Sequence, residues 1–433
     1  KAQPISKKMK EDWATDELGN IFHTSSGGTP SRRNDNYFKG SILWVKSGEL
    51  DKGVIFNTEE KISEEAVKNS SAKIFPKGTL LIALYGATIG KLAFLGVDAA
   101  TNQAICGIYK NDNIDSKFLY NFLLFRRPKL ISQGAGGAQP NISQTILKKL
   151  EFSFPSKPEQ RAIVQKIENL FALLDKGIAD LKTAQEQLKI YRQAVLKKAF
   201  EGDYPKKKVI EFADVKTGST PKRGNLNYWN NGTIPWVTSG ALNTLLVDKA
   251  DEYITEAALQ ETNCKIIPKG SLLVAMYGEG KTRGKCSELN IDAATNQAIA
   301  AITMFQEFVG SKNFVKWFFI KNYEDIRLLS SGGVQPNLNL SIVKNTVLPF
   351  PSLSIQKQIV REIKSRLSVC DKVEENISES LEKAEALRQS ILKNAFEGKL
   401  LSQEEITKCR QEADYEPASV LLERIRKENK HGK

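Results

Sequence analysis

The same eight residues, DAATNQAI, occur twice in this chain of 433 residues, at Asp98–Ile105 and at Asp292–Ile299. Chance does not supply an identical octapeptide that is flanked by further matches in the same order. The offset between matched residues grows from 191 at Thr29 and Thr220 to 196 near the end of the repeat, so the second copy has gained a few loop residues. Two similar domains on one chain suggest a molecule that contacts two similar things at once.

Other matched segments extend this duplication through most of the chain. They are Gly27–Arg32 with Gly218–Arg223, Ile42–Leu50 with Ile234–Leu242, Ile74–Gly86 with Ile266–Gly278, Gly137–Ser143 with Gly333–Asn339, and Leu196–Gly202 with Leu392–Gly398. The first part of each copy mixes β-rich runs such as TLLIALYG and SLLVAMYG with turn clusters of Gly, Pro, Ser and Asn, and a helical segment follows. We therefore predict two similar globular domains of the α/β (α+β) class.

The second part of each copy has a different pattern, in which Gly and Pro nearly vanish and apolar residues recur every seven positions. A repeat of 3.5 residues kept over about five heptads predicts coiled-coil helices, whereas the alternative is an amphipathic helix lying on its own domain. The seam positions are Ile167, Leu174, Leu181, Leu188 and Val195 in the first copy, and Ile363, Cys370, Ile377, Ala384 and Ile391 in the second.

The interleaved positions of each seam are imperfect, so we expect the two helices to pair with each other and to run antiparallel. The apolar interleaved positions are Ile163, Leu170, Ala184 and Tyr191, then Ile359, Val373 and Leu387, with Gly177, Arg366 and Ser380 as weak ones. A helix of ~40 residues that rises ~1.5 Å per residue is a rod of roughly 60 Å. We expect this rod to hold the two domains at a fixed distance.

These patterns give a domain organisation in five parts. They are a first recognition domain at 1–153, a helical region at 154–203, a second recognition domain at 204–349, a second helical region at 350–402, and a C-terminal helical tail at 403–433.

The charge balance points towards a polyanionic partner. Lys and Arg number 63 against 50 Asp and Glu, which gives a formal net charge of +13. On a duplicated protein with no apolar run of ~18 residues to cross a bilayer, such an excess points towards nucleic acid, with a general solubility charge as the alternative. The 5 scattered cysteines contain no CxxC pair, which is typical of reduced cytoplasmic thiols.

Catalytic motifs are largely missing from the sequence. With 2 histidines in the chain, His-based triads and most zinc centres are nearly excluded. Ala275–Thr282 fits a relaxed P-loop pattern, but the RGKCSELN that follows is a poor helix start, so we favour a basic loop over a phosphate-binding loop. Neither an Asn-Pro-Pro-aromatic methyltransferase motif nor a paired-acid nuclease motif is present. We therefore expect no metal site and no catalysis by this chain.

Loops that combine small polar residues with Arg or Lys suit contacts to phosphates and base edges, although a solvated turn explains each loop about equally well. The candidate contacts are Thr29, Arg32, Arg33, Lys46, Ser47, Tyr85 and Lys91 in the first copy, and Thr220, Lys222, Arg223, Thr238, Ser239, Tyr277, Lys281 and Arg283 in the second. We interpret Trp44 and Trp236 as core residues. Asn102, Gln103, Asn296 and Gln297 are interpreted as scaffold, and Gln139–Asn141 and Gln335–Asn337 as turns that cap helices.

In this order, and duplicated, the segments resemble the specificity subunit of type I restriction–modification systems. The resemblance rests on GGTP, WV-x-SG, PKGTLL, ATNQA, GG-x-QPN, FP-x-P-x-EQ, AFEG and the closing EPASVLLERI, and it covers nearly the whole chain. It implies two target-recognition domains that each read one half of a bipartite site on double-stranded DNA. It also implies two long helices that set the spacing and dock two methyltransferase (modification) subunits, through which restriction subunits join.

By the same resemblance, S-adenosylmethionine, ATP and Mg belong to the partner chains, and this chain carries no cofactor and acts in the cytoplasm. The loops that differ between the copies are expected to select the DNA sequence. They are Arg32–Lys39 against Lys222–Asn231 and Ala87–Val97 against Glu279–Ile291. Two alternatives stay open, a stand-alone duplicated DNA-binding protein and the specificity part of a fused restriction–methylation enzyme.

Overall fold

A computed structural model describes residues 12–134, 142–277, 282–323 and 338–431. The chain divides into two compact units. The first unit is Lys1–Asp180 with Ser380–Lys433, and the second unit is Leu181–Glu379. Each unit therefore combines one predicted recognition domain with parts of both predicted long helices. In the described part of the chain, every helix is too short or too polar to cross a membrane.

The first unit contains three sheets, with strand orders β1-β11, β2-β10-β7-β8-β4 and β5-β3-β9-β6. Its strands are β1 Ala14–Glu17, β2 Thr24–Ser26, β3 Ile42–Val45, β4 Val54–Ile55, β5 Glu60–Ile62, β6 Ile74–Phe75, β7 Leu80–Ala83, β8 Leu92–Leu95, β9 Ala99–Thr101, β10 Ile105–Ile108 and β11 Glu151–Phe154.

The second unit repeats this topology, with strand orders β12-β21, β13-β20-β17-β18-β15 and β16-β14-β19, except that the counterpart of β6 is reduced to a single bridge between Ile267 and Ala293. Its strands are β12 Lys206–Lys208, β13 Ala213–Thr217, β14 Ile234–Val237, β15 Leu246–Val247, β16 Glu252–Ile254, β17 Leu272–Ala275, β18 Cys286–Leu289, β19 Ala294–Thr295, β20 Ile299–Met304 and β21 Val347–Pro349.

Most of the α-helices are short, and two are long. The helices are α1 Leu18–Ile21, α2 Glu64–Lys68, α3 Ser116–Gly134, α4 Gln144–Lys148, α5 Lys157–Ala199, α6 Glu256–Glu261, α7 Lys312–Lys321, α8 Leu340–Asn345, α9 Leu353–Phe396, α10 Gln403–Arg410 and α11 Ala418–His431. The long helices α5 and α9, of 43 and 44 residues, begin and end within the two predicted helical regions.

The repeated octapeptide joins the two larger sheets of its unit. In the first unit it supplies β9, which pairs in parallel with β3, and the start of β10, which pairs antiparallel with β7. The second copy supplies β19 and the start of β20 in the same arrangement. Its alanines Ala99, Ala100, Ala293 and Ala294 are fully buried, so larger side chains at these positions would overpack the core. This crowding accounts for the pair of alanines that both octapeptides share.

The end of each long helix packs into the core of a recognition domain. In the first unit, Phe396 of α9 contacts Phe118, Phe122 and Phe125 of α3, with ring centroids 5.1 to 5.6 Å apart. In the second unit, Phe200 directly after α5 contacts Phe314 and Phe318 of α7 at 5.1 and 5.4 Å. The matched AFEG sequences thus close the cores of both units.

The long helices run antiparallel, as predicted. In the first unit, Arg388 of α9 forms an ion pair with Asp175 of α5 and lies 4.7 Å from the ring centroid of Phe171. In the second unit, Arg192 of α5 pairs with Asp371 at 2.6 Å and with Glu374 at 2.9 Å. Higher residue numbers on one helix thus face lower numbers on the other.

The predicted seam residues lie on the less exposed side of each helix. Ile363, Cys370, Ile377, Ala384 and Ile391 are buried, as are Ile167 and Val195 at the two ends of the seam of α5, while Leu174, Leu181 and Leu188 are half-buried. The prediction that the interleaved positions also face the partner helix is wrong at three of them, because Tyr191, Val373 and Leu387 are 45%, 39% and 50% exposed. The second inward row lies four residues after each seam position, as at Leu367 and Ala395, instead of three.

The predicted tail packs onto the first unit. Leu421 and Ile425 of α11 belong to its hydrophobic core. Ion pairs join Arg161 of α5 to Glu412 and Asp414, at 2.5 and 2.7 Å. Others are Lys166 with Glu405 at 2.7 Å and Arg426 with Asp16 at 2.6 Å. The tail therefore belongs to the folded core of this unit.

Candidate nucleic-acid interface

The sheet pairing gathers the predicted contact residues of the first unit at one edge. Val45 at the end of β3 is paired with Thr101 at the end of β9, and Ala83 at the end of β7 is paired with Ile105 at the start of β10. Because β2 is antiparallel to β10, its last residue also lies at this edge. The segments that follow these strand ends carry Thr29, Lys46, Ser47 and Tyr85, and Lys91 directly precedes β8 at the same edge.

The second unit places its candidates in the same way. Val237 is paired with Thr295, and Ala275 with Ile299. Thr220 therefore follows β13, Thr238 and Ser239 follow β14, and Tyr277 follows β17 at one edge, with Arg283 shortly before β18. Lys281 lies outside the described residues. Gln139–Asn141 and Gln335–Asn337 also lie outside them.

The octapeptide holds the loop that follows β2 or β13. The Thr29 hydroxyl donates a hydrogen bond to Oε1 of Gln103, and the Thr220 hydroxyl donates to Oε1 of Gln297. The backbone N–H of Gly28 donates to the Thr101 carbonyl oxygen at 2.9 Å, and Ser219 repeats this contact with Thr295. These bonds agree with the interpretation of both glutamines as scaffold.

Gly27 and Gly218 pass so close to the octapeptide that neither position has room for a Cβ atom. Such close approach explains why both loops place glycine immediately after the strand.

Trp44 and Trp236 are core residues, as predicted, and each is 2% exposed. Their indole N–H groups donate to the carbonyl oxygens of Gly28 and Ser219, both at 3.1 Å. Each tryptophan therefore attaches the loop to the sheet as well as filling the core.

Arg32 is held by aromatic and acidic neighbours. Its guanidinium lies 4.1 Å from the ring centroid of Phe38 and 5.3 Å from that of Trp44, and it pairs with Glu60 at 2.7 Å. Glu60 is the cross-strand partner of Trp44 in the β3–β5 ladder. We call Arg32, Phe38, Trp44 and Glu60 the first arginine stack.

The second unit contains an equivalent cluster, the second arginine stack, made of Arg223, Trp229, Trp236 and Glu252. The Arg223 guanidinium lies 4.1 and 4.9 Å from the two indole rings and forms an ion pair with Glu252. Glu252 is again the cross-strand partner of the buried tryptophan. Two independent occurrences show that this geometry belongs to the shared framework.

The acids of both stacks stay ionised near neutral pH. The hydrogen bond from Arg32 holds the pKa of Glu60 below its usual value, and the hydrogen bond from Arg223 does the same to the pKa of Glu252. In this structure both guanidiniums are thus partly satisfied by protein groups. Their predicted role as direct contacts to DNA stays a prediction.

Two other candidate cations of the first unit are also paired. Lys46 contacts Glu59 at 2.8 Å and Glu60 at 3.0 Å, and Lys91 contacts Asp51 at 3.0 Å. Burial raises the pKa of Tyr85, which is half-buried beside this edge. In the second unit Thr238 replaces Lys46, and Lys285 donates to Asn243 at 2.7 Å. The two edges therefore share a framework but differ in charge.

The P-loop interpretation fails on the element that follows the loop. Residues 278–281 lie outside the described residues, but the chain after them enters strand β18, Cys286–Leu289, and not a helix. A phosphate-binding loop needs a helix N-terminus there. Within the described residues, no group of three or more His, Cys, Asp or Glu could hold a metal ion.

Sequence reasoning missed Glu60 and Glu252 as members of the site. An acid at the same place in both copies, within the matched β5 and β16 segments that precede Ser63 and Thr255, was the available signal. It was weak, because the strand register that places each acid opposite a tryptophan is not readable from local sequence.

Comparison with known families accounts for this duplicated arrangement. The family described as Type I restriction modification DNA specificity domain matches the chain twice, at residues 10–183 and 201–383. The chain belongs to this family. Its two matches correspond to the two copies, and each includes a recognition domain together with much of the long helix that follows it.

Relatives with established names match most of the chain. A type I restriction enzyme specificity subunit of Methanocaldococcus jannaschii, MjaIX, is 26% identical over 79% of this chain and 84% of its own length. The EcoKI specificity subunit of Escherichia coli K12 is 23% identical over 97% of this chain and 96% of its own length.

Solved structures share the fold. The HsdS subunit from Thermoanaerobacter tengcongensis superposes with a TM-score of 0.60 at 17% identity, covering 90% of this chain and 98% of that chain. A chain from a structure of complex assembly and conformational transition of the type I R-M system gives a TM-score of 0.69 at 16% identity, with the same coverage.

Proposed function

We propose that this chain is the specificity subunit of a type I restriction–modification complex, and that each recognition domain reads one half of a bipartite site on double-stranded DNA. The observation that carries the proposal is the pair of equivalent edges, each with an arginine stack and an exposed loop. Two half-sites read by two similar domains are the usual solution for a bipartite sequence. The net charge of +13 suits a duplex with its phosphate charges.

The long helices are proposed to fix the distance between the half-sites, because each one continues from one unit into the other. This can be tested by inserting seven residues after Leu181 and seven after Glu379, where the helices pass between the units. Seven residues add ~10 Å of helix, or roughly three base pairs of duplex. The methylated site should then tolerate a longer spacer. An unchanged spacer in a working complex would contradict the ruler.

The outward faces of the long helices are proposed to dock the modification subunits. Large apolar side chains stay exposed there, with Leu173 69% and Leu387 50% exposed in the first unit, and Ile190 67% and Val369 62% exposed in the second. Exposed apolar groups on helices that already have a partner suit contact with further protein.

Two pairs of substitutions test these docking faces, with native mass spectrometry as the readout. Leu173→Glu with Leu387→Glu should remove one modification subunit, and Ile190→Glu with Val369→Glu should remove the other. Exposed Lys182 provides a control, because Lys182→Glu should leave both subunits bound. Two bound subunits in every variant would refute docking on these faces.

The reaction itself is assigned to the partners. S-adenosylmethionine, ATP and Mg are proposed to bind the modification and restriction subunits and not this chain. The five cysteines, which are free and buried, suit the reducing cytoplasm, where we place the complex.

Co-expression with the modification subunits of its own system tests the function. The purified complex with S-adenosylmethionine should methylate a bipartite sequence, which long-read sequencing of the treated DNA would map. A stand-alone DNA reader would recover no modification subunit. A chain with its own methyltransferase activity would methylate DNA without partners.

A further inference from the structure

The loop that carries each arginine stack has a regular pattern of sameness and difference between the copies. Residues 29–38 and 220–229 align at a constant offset of 191. Thr, Pro, Arg, Asn, Asn and Tyr are identical at six of these positions, namely 29, 30, 32, 34, 36 and 37. The residues that differ in chemical character alternate with them, at 31, 33 and 35.

The side chains and backbone at the identical positions hold the loop. Asn34 accepts a hydrogen bond from the Asn36 N–H at 3.1 Å, and Asn225 accepts one from the Asn227 N–H at 3.2 Å. The carbonyl oxygen of Tyr37 accepts from the Ser63 N–H at 2.9 Å, as that of its counterpart does from the Thr255 N–H. With the threonine bond and the arginine stack, these contacts give both loops one backbone frame.

The differing positions are exposed, although the Ser31 hydroxyl still accepts a hydrogen bond from the backbone N–H of Arg33 at 3.4 Å. Ser31, Arg33 and Asp35 are exposed in the first loop, as are Lys222, Gly224 and Leu226 in the second. The side chains of Arg33, Asp35 and Lys222 make no hydrogen bond or ion pair with the described part of the protein, and Leu226 is 63% exposed. A Cβ atom on Gly224 would meet nothing within 4 Å. The fold therefore imposes little on these positions.

We propose that these three alternating positions choose bases, whereas the residues between them position the loop. This proposal rests on the proposed DNA-reading function. It assigns Arg33 and Asp35 to a first half-site that contains a G·C pair, because a guanidinium group suits guanine and a carboxylate suits the amino group of cytosine. Lys222 and Leu226 suit a second half-site with guanine beside thymine, whose methyl group fits the apolar side chain. Arg32 and Arg223, which were predicted from the sequence to contact DNA, are here positioning residues, because aromatic and acidic neighbours hold both guanidiniums.

Exchange of the three residues tests the assignment. The variant Ser31→Lys, Arg33→Gly, Asp35→Leu is co-expressed with the modification subunits, and its methylated sequence is mapped. We expect the base preference to change at least roughly tenfold at one or more bases of the first half-site, while the second stays the same. The reciprocal variant Lys222→Ser, Gly224→Arg, Leu226→Asp should change the second half-site alone.

Two further variants separate reading from positioning. Arg32→Ala should lower the methylation rate with an unchanged sequence, and Lys68→Ala, an exposed change outside the loop, should have no effect. An unchanged half-site in both folded exchange variants, or loss of all methylation by both, would overturn the assignment. Absence of any bipartite sequence with the wild-type complex would instead count against the proposed function.

Discussion

Phe396, the last residue of α9, packs edge-on against Phe118 of the first recognition domain, with 5.1 Å between the ring centroids and 60° between the ring planes. The two residues are 278 positions apart in the sequence. Their contact makes the end of the second long helix part of the core of the first unit, and Phe200 has the equivalent role in the second unit.

Truncation of these rings should destabilise the two units separately. Phe396→Ala should cost about 3–5 kcal/mol of unfolding free energy in the first unit, because the side chain is 4% exposed and would leave a cavity. Phe200→Ala should weaken the second unit instead. Hydrogen exchange during urea unfolding reports on both units at once. Phe56→Ala, at a ring that is 67% exposed, is the control and should cost much less.

The antiparallel pairing predicts coupling between Arg192 and Glu374, which are 2.9 Å apart. Arg192→Glu would place three acidic groups together and should lower the melting temperature. Adding Glu374→Arg should recover part of the loss, with a coupling energy of about 0.5–1 kcal/mol because the pair is partly exposed. A double-mutant cycle at low and high salt measures it. Zero coupling at low salt would mean that this register is not formed in solution.

Gly177 is an exposed position inside α5 where a Cβ atom would meet nothing within 4 Å. Gly177→Ala should therefore stabilise the protein by about 0.5–1 kcal/mol, because alanine loses less backbone entropy in a helix. Ala172→Gly, at another exposed position of α5, should cost a similar amount. Thermal unfolding of the two variants and the wild type measures both changes in stability. Destabilisation by Gly177→Ala would indicate that the helix is interrupted there.

Burial raises the pKa of Glu159 to about 7, although the Trp13 indole N–H donates to its carboxylate. An acid whose pKa is higher in the folded state costs stability as pH rises from about 4.5, the unfolded value, to 7, and the cost is constant above that. Glu159→Gln should remove this decline and raise stability at pH 8, by on the order of 1 to 3 kcal/mol.

Urea titrations of the wild type and of the Glu159→Gln variant at pH 4.5, 6 and 8 would check the Glu159 prediction. The pKa of Glu405 is lowered to about 2, chiefly by its hydrogen bond from Lys166, so its stabilisation is lost only below about pH 4.5 and does not overlap this range. Equal pH slopes for the wild type and Glu159→Gln would contradict the prediction.

The sequence reveals the architecture because its signals repeat. The duplicated DAATNQAI segment and the sustained heptads each predict an element of the fold, and the strand ends around Gln103 and Gln297 do bring the predicted loops together. Contacts between distant segments are different. The placement of Glu60 opposite Trp44 depends on strand register, and the docking of Leu421 depends on a core assembled from both ends of the chain.

The second row of the helix seam shows a further limit of prediction from the sequence. A second inward row that lies either three or four residues after each seam position satisfies a heptad spacing equally well. The apolar Val373 and Leu387 lie three residues after seam positions and therefore favoured the wrong row. In the structure these side chains face outward, while charged Arg192 and Arg388 lie in the inward row and are paired across the helices. The heptad pattern could not predict that these arginines face inward, because a charged side chain is compatible with the seam only when its acidic partner on the other helix is known.

Replacement of the first recognition domain tests the central claim, which is that each domain reads its own half of one DNA site. Residues 12–153 would be exchanged for a copy of the second recognition domain, residues 204–349, in the complex with its modification subunits. The account predicts a methylated sequence whose first half changes to match the second, with the second half unchanged. A change in both halves, or an unchanged sequence, would contradict it.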